Sequence, residues 1–337
     1  MRYMEMKSNE KIDIVVLWVD GNDKKWQEEK NRYLNEFGDS NVNRFRDCEN
    51  LQYFFRGIEK FAPWANKIYF ITYGHLPKWL DVNNEKLVIV NHKDFIPEQY
   101  LPTYNSNVIE LNLHRIEELS EKFILFNDDM FLLKETKPED FFVDGKPKDI
   151  YVETMLSSST YNDSHFMMKV NILYLLNKHF NKKECVRKNW FKFVNPKYGK
   201  LNNSTLLCMK FKQRFLGFQS FHNPYAYLKE TFRTVWNEEG AALDKACYNR
   251  FRTFSDLGHF LCRYWQMVSG NFVPQKYEGK YLYYKNDNTE NIKELKSGKY
   301  KYVCINDVLM DIDFEKSRDE LNVVLEEMFP EKSSFEL

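Results

Sequence analysis

The residues best suited to chemistry begin with an adjacent acidic pair, Asp128-Asp129, which follows Asn127 at the end of a short apolar run over residues 123–126. Such a run reads as a buried strand, and open α/β sheets bind their ligands beyond the carboxyl ends of strands. Two neighbouring carboxylates repel unless a positive charge lies near them, and a divalent cation is the usual answer. Asp20 leaves a second apolar run, residues 12–19, at what would be the same edge; by composition Asp20-Gly21-Asn22-Asp23 also reads as a plain turn. Arg44 and Arg46 straddle Phe45, so in an extended segment both point the same way and suit two oxygens of one phosphate. The pattern recurs in Asn249-Arg250-Phe251-Arg252. His222 precedes Asn223-Pro224, and the proline biases Asn223 out of helix, which leaves the imidazole in a loop just before a helix-like stretch.

These groups need elements to hold them. The loop from Thr103 through Asn105 and Ser106 to Asn107 offers amides, hydroxyls and backbone donors beside the acidic pair. It leads into a predicted helix over 106–119, with Ile109, Leu113, Ile116 and Leu119 on one stripe and Asn107, Glu110 and His114 opposite. That polar face reads as solvated by itself and becomes a candidate site wall through the loop beside it. Further strands are predicted at 67–73 and 87–90, and Leu51, Phe54, Phe55, Ile58 and Phe61 mark a helix for which Asp47 is a candidate cap. Strand, helix and strand alternate through the first 130 residues, which predicts an α/β fold with a doubly wound, mostly parallel, Rossmann-like sheet. His75, His92 and Asp94 lie just past strand ends and read as turn residues.

Three segments follow from the patterning: a strand-rich part over 10–136, a mainly helical part over 137–274, and an extension over 275–337. The middle part carries basic runs mixed with aromatics at 187–192 and 197–200, which read either as solvated loops or as a surface for an anionic glycan or nucleic acid. Ser255 is a candidate cap for a helix carrying Leu257, Leu261, Tyr264 and Val268. The extension shows two tyrosine-rich strands, 281–285 and 300–305, and a helix over 314–328, with no chemistry of its own.

Composition narrows the classes. The 337 residues balance 49 basic against 49 acidic side chains, so no global pull toward nucleic acid or acidic membrane exists, although local patches remain open. The six cysteines are scattered without a zinc or redox spacing and predict reduced thiols in a cytoplasmic protein. No run approaches the roughly 18 apolar residues of a spanning helix, and the charged first residues do not read as a signal peptide. A Gly-rich phosphate loop is also missing, which argues against a P-loop ATPase.

Taken in order, these residues resemble the Stealth family of sugar-1-phosphate transferases. Residues 12–26, IDIVVLWVDGNDKKW, are similar to the family's first conserved region. Its longest conserved region resembles Arg44-Phe45-Arg46-Asp47, Ala62-Pro63-Trp64, Leu101-Pro102-Thr103, Asn105-Ser106, His114-Arg115-Ile116 and Asn127-Asp128-Asp129-Met130. His222 with Pro224, and Asn249 to Asp256, are more loosely similar to the third and fourth regions, so the resemblance spans about 12–274. Leu125-Phe126 stands where the family usually has Tyr-Leu, a conservative change.

The resemblance implies transfer of a hexose 1-phosphate from a nucleotide diphosphate sugar, expected to be UDP-linked, to a hydroxyl of a glycan acceptor, with release of the nucleoside monophosphate during capsular or exopolysaccharide synthesis. Such a reaction needs charge neutralisation and in-line placement more than covalent help. Asp128 and Asp129, with Asp20, would hold Mg2+ or Mn2+. Arg44, Arg46 and Arg252 would cover phosphate charge, and Asn105, Ser106, Arg115, Asn127 and Arg250 would bind substrate. His222 is the expected base, with His114 the alternative base or a ligand of a phosphate oxygen or the sugar. A metal-dependent glycosyltransferase releasing UDP is the nearest rival, and a non-catalytic glycan-binding protein a more distant one. Expected surroundings are the cytoplasm at the inner face of the membrane, beside a polysaccharide-synthesis complex and without nucleic acid.

Overall fold

The structure, a computed structural model, describes residues 11–34, 45–158, 163–308 and 312–337. At its centre, strands β1 (Ile12–Leu17), β2 (Ile68–Thr72), β3 (Leu87–Asn91) and β4 (Lys122–Asn127) are parallel, while β8 (Tyr225–Leu228) runs antiparallel along β4. They form a five-stranded sheet in the order β3-β2-β1-β4-β8. The Rossmann-like α/β expectation holds for this largely parallel sheet. The chain winds from β1 through β2 to β3 and then returns to the other side of β1 as β4. The switch in winding falls between β1 and β4, and the crevice there is where such sheets take ligands.

Why these strands sit in the middle is legible in their alternation. Val15, Tyr69, Ile71, Phe123 and Leu125 face one core, and Ile14, Val16, Ile68, Phe70, Ile124 and Phe126 face the other. Burial on both faces explains unbroken apolar runs. The first core is closed by α3 (Ser106–Asn112), α4 (Ser164–His179), α5 (Lys182–Phe193), α7 (Lys229–Cys247) and α8 (Phe260–Val268). The other core is closed by α2 (Leu51–Phe61) and by the C-terminal residues.

Smaller elements complete the frame. Helix α1 (Lys24–Tyr33) is capped by Asp23, whose carboxylate accepts from the Trp26 amide at 2.7 Å. Strands β6 (Phe142–Val143), β7 (Lys146–Asp149) and β9 (Val273–Pro274) form one small sheet, and α6 (Asn202–Cys208) follows α5. Another sheet joins β10 (Gly279–Tyr283), β11 (Tyr302–Asn306) and β5 (Met130–Leu132), flanked by α9 (Thr289–Lys296) and α10 (Phe314–Met328). The extension is therefore built into the strand-rich part: β11 pairs with β5, and Arg56 of α2 reaches Glu326, Glu336 and the Phe329 carbonyl.

Several elements differ from expectation. The predicted helix over 106–119 is α-helical only to Asn112, whose side-chain amide donates to the Val108 carbonyl while the backbone tightens into a 3-10 turn over Leu113–Arg115. The helix-like stretch after Pro224 opens as strand β8, because the edge of β4 takes up its backbone groups. Helix α8 starts at Phe260, beyond Ser255, which instead bonds Thr253 and Asn249. Asp47 does not cap α2; its carboxylate accepts from the Glu49 amide, and Asn50 occupies the cap position.

Candidate active site

Asp128 and Asp129 form the two-residue turn between β4 and β5. This turn joins the central sheet to the C-terminal sheet, so it is held from both. On the C-terminal side the Asp129 carbonyl accepts from the Ile305 amide at 2.9 Å, and Asp129 Oδ2 accepts from Asn306 Nδ2 at 2.6 Å and from Cys304 Sγ at 3.2 Å. Asp129 Oδ1 is buried with no partner among the described residues. Asp128 is open to the cavity; desolvation by the surrounding cavity walls first, then the charges of Asp129 and Asp47, push its carboxyl up to about 8. Asp307, just past β11, pairs with Arg46 at 3.3 Å, and Arg46 also lies 4.1 Å from the Phe314 ring.

The turn opens on a cavity of about 580 Å3 at the β1–β4 crevice, lined from β1 by Leu17, Trp18 and Val19 and from the turn by Asn127, Asp128 and Asp129. The facing wall is α3 together with the loop before α8. Asn105 fixes both: as α3 cap it accepts from the Asn107 amide, and its own amide donates to the Asn249 and Phe251 carbonyls and to Asp256. Arg252, on that loop, donates to Ser106 Oγ at 2.8 Å, and both line the cavity. His222 enters from the loop before β8 with φ of 43°, in the left-handed region that non-glycine residues seldom occupy. Its ring stacks on Tyr281 of β10 at 5.2 Å. Burial pushes the His222 imidazole below its ordinary value; Asp129 opposes the shift, while Lys169 and Arg252 add to it.

Behind these lies a buried chain. The Tyr227 hydroxyl and His259 Nδ1 share a hydrogen bond of 2.6 Å, and His259 Nε2 stands 3.8 Å from Glu110 Oε2, which has no partner among the described residues. Burial drives His259 down to about 3 and Glu110 up to about 8, so near neutral pH both are mostly uncharged and Glu110 presents a carboxylic acid to the cavity.

The structure gathers Arg46, Ser106, Asn127, Asp128, Asp129, His222 and Arg252 in one cavity. Arg44 lies outside the described residues. Asp20 follows the lining residue Val19 without lining the cavity itself; its amide donates to His75 Nε2 and its carboxylate accepts from the Asn22 amide. Asn105 is a buried brace rather than part of the cavity surface. His114 and Arg115 face α7 instead, against Phe232 and Trp236, because the early end of α3 turns them away from Glu110. Arg250 donates to the Leu101 carbonyl and covers the Tyr33 ring. Asn107 and Glu110 line the cavity, as the polar face of the predicted helix suggests, and Asp47, His165, His259, Tyr281, Asn306 and Asp307 line it without having been expected there. Asp307 and Tyr281 lie in the extension that promised no chemistry.

The donor set bears on metal binding. Among the described residues no group of three or more His, Cys, Asp or Glu side chains is arranged to hold an ion. Two carboxylates, one with an unpartnered buried oxygen, suit a hard cation that takes its other ligands from water and substrate phosphates, which is how Mg2+ is commonly held.

Comparison with known proteins decides the family. Residues 10–38 match the family model for Stealth protein CR1, conserved region 1, and residues 44–150 match that for Stealth protein CR2, conserved region 2. A capsular polysaccharide phosphotransferase of Streptococcus pneumoniae is 44% identical over 338 residues, covering 98% of this chain and 99% of the relative. The chain belongs to the Stealth family. A receptor polysaccharide phosphotransferase of Streptococcus gordonii is 40% identical, covering 97% of this chain and 99% of its own length. An exopolysaccharide phosphotransferase of Lactiplantibacillus plantarum is 38% identical, covering 96% of each chain. The CR2 match spans β2, β3, α3 and the acidic turn, whereas His222, Arg252 and Asn306 come from beyond both matched regions.

Proposed function

We propose that this Stealth protein transfers a hexose 1-phosphate from a UDP-linked sugar to a hydroxyl of a glycan acceptor in capsular or exopolysaccharide synthesis. The observation that carries the reading is the cavity at the β1–β4 switch, where an acidic turn faces Arg252, Arg46 and His222. In this reading the acceptor oxygen attacks the phosphorus that bears the sugar, the bond to the bridging oxygen breaks, and UMP leaves with that oxygen. The sugar keeps its anomeric C–O bond. Neutral His222 takes the acceptor proton, a role that its lowered pKa suits. Arg252, oriented by Ser106, stabilises charge on the equatorial oxygens, and Glu110 donates a hydrogen bond to substrate. Asp128 and Asp129, with Asp20 at the cavity edge as a further candidate, would hold Mg2+ or Mn2+, which would neutralise diphosphate charge.

Among the described residues no helix is long and apolar enough to cross a membrane. We place the enzyme in the cytoplasm beside the membrane and its polysaccharide-synthesis complex. The test of the reaction is the released nucleotide. Incubation with a UDP-sugar and acceptor should yield UMP and a product whose phosphorus NMR shows a phosphodiester resistant to monoesterase. Release of UDP with a phosphorus-free glycoside would overturn the reading in favour of ordinary glycosyl transfer.

A further inference from the structure

The cavity leaves one conspicuous region unexplained. Residues 181–214, which carry α5 and α6, contain ten basic side chains and one acidic, in a chain whose net charge is zero. Helices α5 and α6 are tied to each other near both ends. At one end Lys182 Nζ donates to the Cys208 carbonyl at 2.8 Å, and at the other Asn202 Nδ2 donates to the Asn195 carbonyl at 2.7 Å. Their inner residues Cys185, Phe193, Thr205 and Cys208 are buried, which leaves the opposite side of each helix as an outward face of this segment.

That face is apolar and basic together. Phe191 is 82% exposed and Phe211 52% exposed at opposite ends, with Trp190, Leu206 and Leu207 also exposed. Arg187, Lys188, Lys200, Lys210, Lys212 and Arg214 are all exposed, and none makes an ion pair among the described residues. Scattered exposed apolar residues are ordinary, whereas several on one face framed by unneutralised cations are the pattern of a surface helix at a bilayer. Charge complementarity selects anionic phospholipid. A sugar polymer would stack on flat rings but gain little from adjacent leucines such as Leu206 and Leu207, which favour an acyl boundary.

We infer that the α5–α6 face docks the enzyme on an anionic phospholipid bilayer. The exposed phenylalanines and leucines enter the headgroup boundary, and the surrounding lysines and arginines meet lipid phosphates. This rests on the proposed position beside the membrane and not on the reaction. Binding is measured without donor or acceptor, so its failure is distinguishable from failure of the UMP test.

The experiment is flotation of the full chain with phosphatidylcholine vesicles that either contain or lack phosphatidylglycerol. The wild type should float with the anionic vesicles, and added salt should weaken the association. Each neutralisation, such as Lys188→Gln or Lys212→Gln, should lower the partition coefficient about fivefold. Phe191→Ser and Phe211→Ser should each lower it about tenfold, with unchanged melting temperature and turnover on a soluble acceptor. Absence of flotation with anionic vesicles would overturn the inference. So would flotation that survives both serine substitutions and is abolished by dextran sulfate, which would assign the face to a soluble polyanion.

Discussion

Glu110→Gln should make the protein more stable near neutral pH, and the size of the gain follows from where Glu110 sits. Its carboxyl is buried against the cavity, with one oxygen unpartnered among the described residues, and burial raises its pKa from 4.5 to about 8 against the opposing charge of Arg252. Below pH 4.5 the group is protonated whether the chain is folded or unfolded, so its titration makes no difference to stability. Between 4.5 and about 8 the folded state retains a proton that the unfolded state has released, and stability falls as pH rises, by about 1.4 kcal/mol per pH unit. At pH 7 the accumulated penalty is about 3 kcal/mol. Glutamine keeps the size of the side chain and removes the titration, so the variant should gain about that much at pH 7 and almost nothing near pH 4. Urea unfolding of both proteins across this range measures it. Identical pH dependence in the two proteins would refute the assignment of a neutral, desolvated carboxyl to this wall.

Three further outcomes follow from the site. Asp128→Asn and Asp129→Asn should each cut turnover by orders of magnitude without loss of the fold, Asp128→Asn leaving the melting temperature at neutral pH unchanged or raised because it removes a carboxyl pushed up to about 8, and full activity in excess chelator would remove the cation. His222→Ala should lower kcat about a hundredfold to ten-thousandfold, whereas His114→Ala, whose ring packs on α7, should leave turnover near wild type; the reverse result in steady-state assays would move the base. Asn306→Ala should lower kcat about tenfold to a hundredfold with KM little changed, because its amide orients Asp129 without lining a separate subsite, and Asn306→Asp should cost more by placing a like charge beside that carboxylate.

What was legible in the sequence was local. The central strands announce themselves because burial on both faces demands unbroken β-branched and aromatic runs, and the helix predicted over 314–328 is α10. The acidic pair stands out because two carboxylates after such a strand have few structural uses. Glu110 was visible only as part of a polar helical face, and nothing local distinguishes a face turned to a cavity from one turned to water. The early end of α3 depended on one Asn112 side chain competing for a carbonyl, and β8 depended on an open edge of β4; neither has a periodic signature. His114 shares a face with Glu110 only in the longer helix that the periodicity predicts.

The C-terminal extension was illegible for a deeper reason, and that reason bears on how the site works. Its contribution arises from the pairing of β11 with β5, a contact between residues far apart in sequence, so no window of the extension contains the chemistry. Because the acidic turn is the junction of two sheets, its two carboxylates are held unequally. Asp129 is fixed at its carbonyl by Ile305 and at its carboxylate by Asn306 and Cys304. Asp128 leans on the amides of its own turn and, open to the cavity, stands beside two like charges, Asp129 and Asp47. A fixed carboxylate beside a perturbed one suits a site that must bind a polyphosphate and then release a smaller anion: geometry is supplied by the clamped member, while the other gains most when positive charge arrives with substrate. In the proposed reaction the extension therefore acts through Asp129, and its sheet lines the same cavity as the end of β4 does.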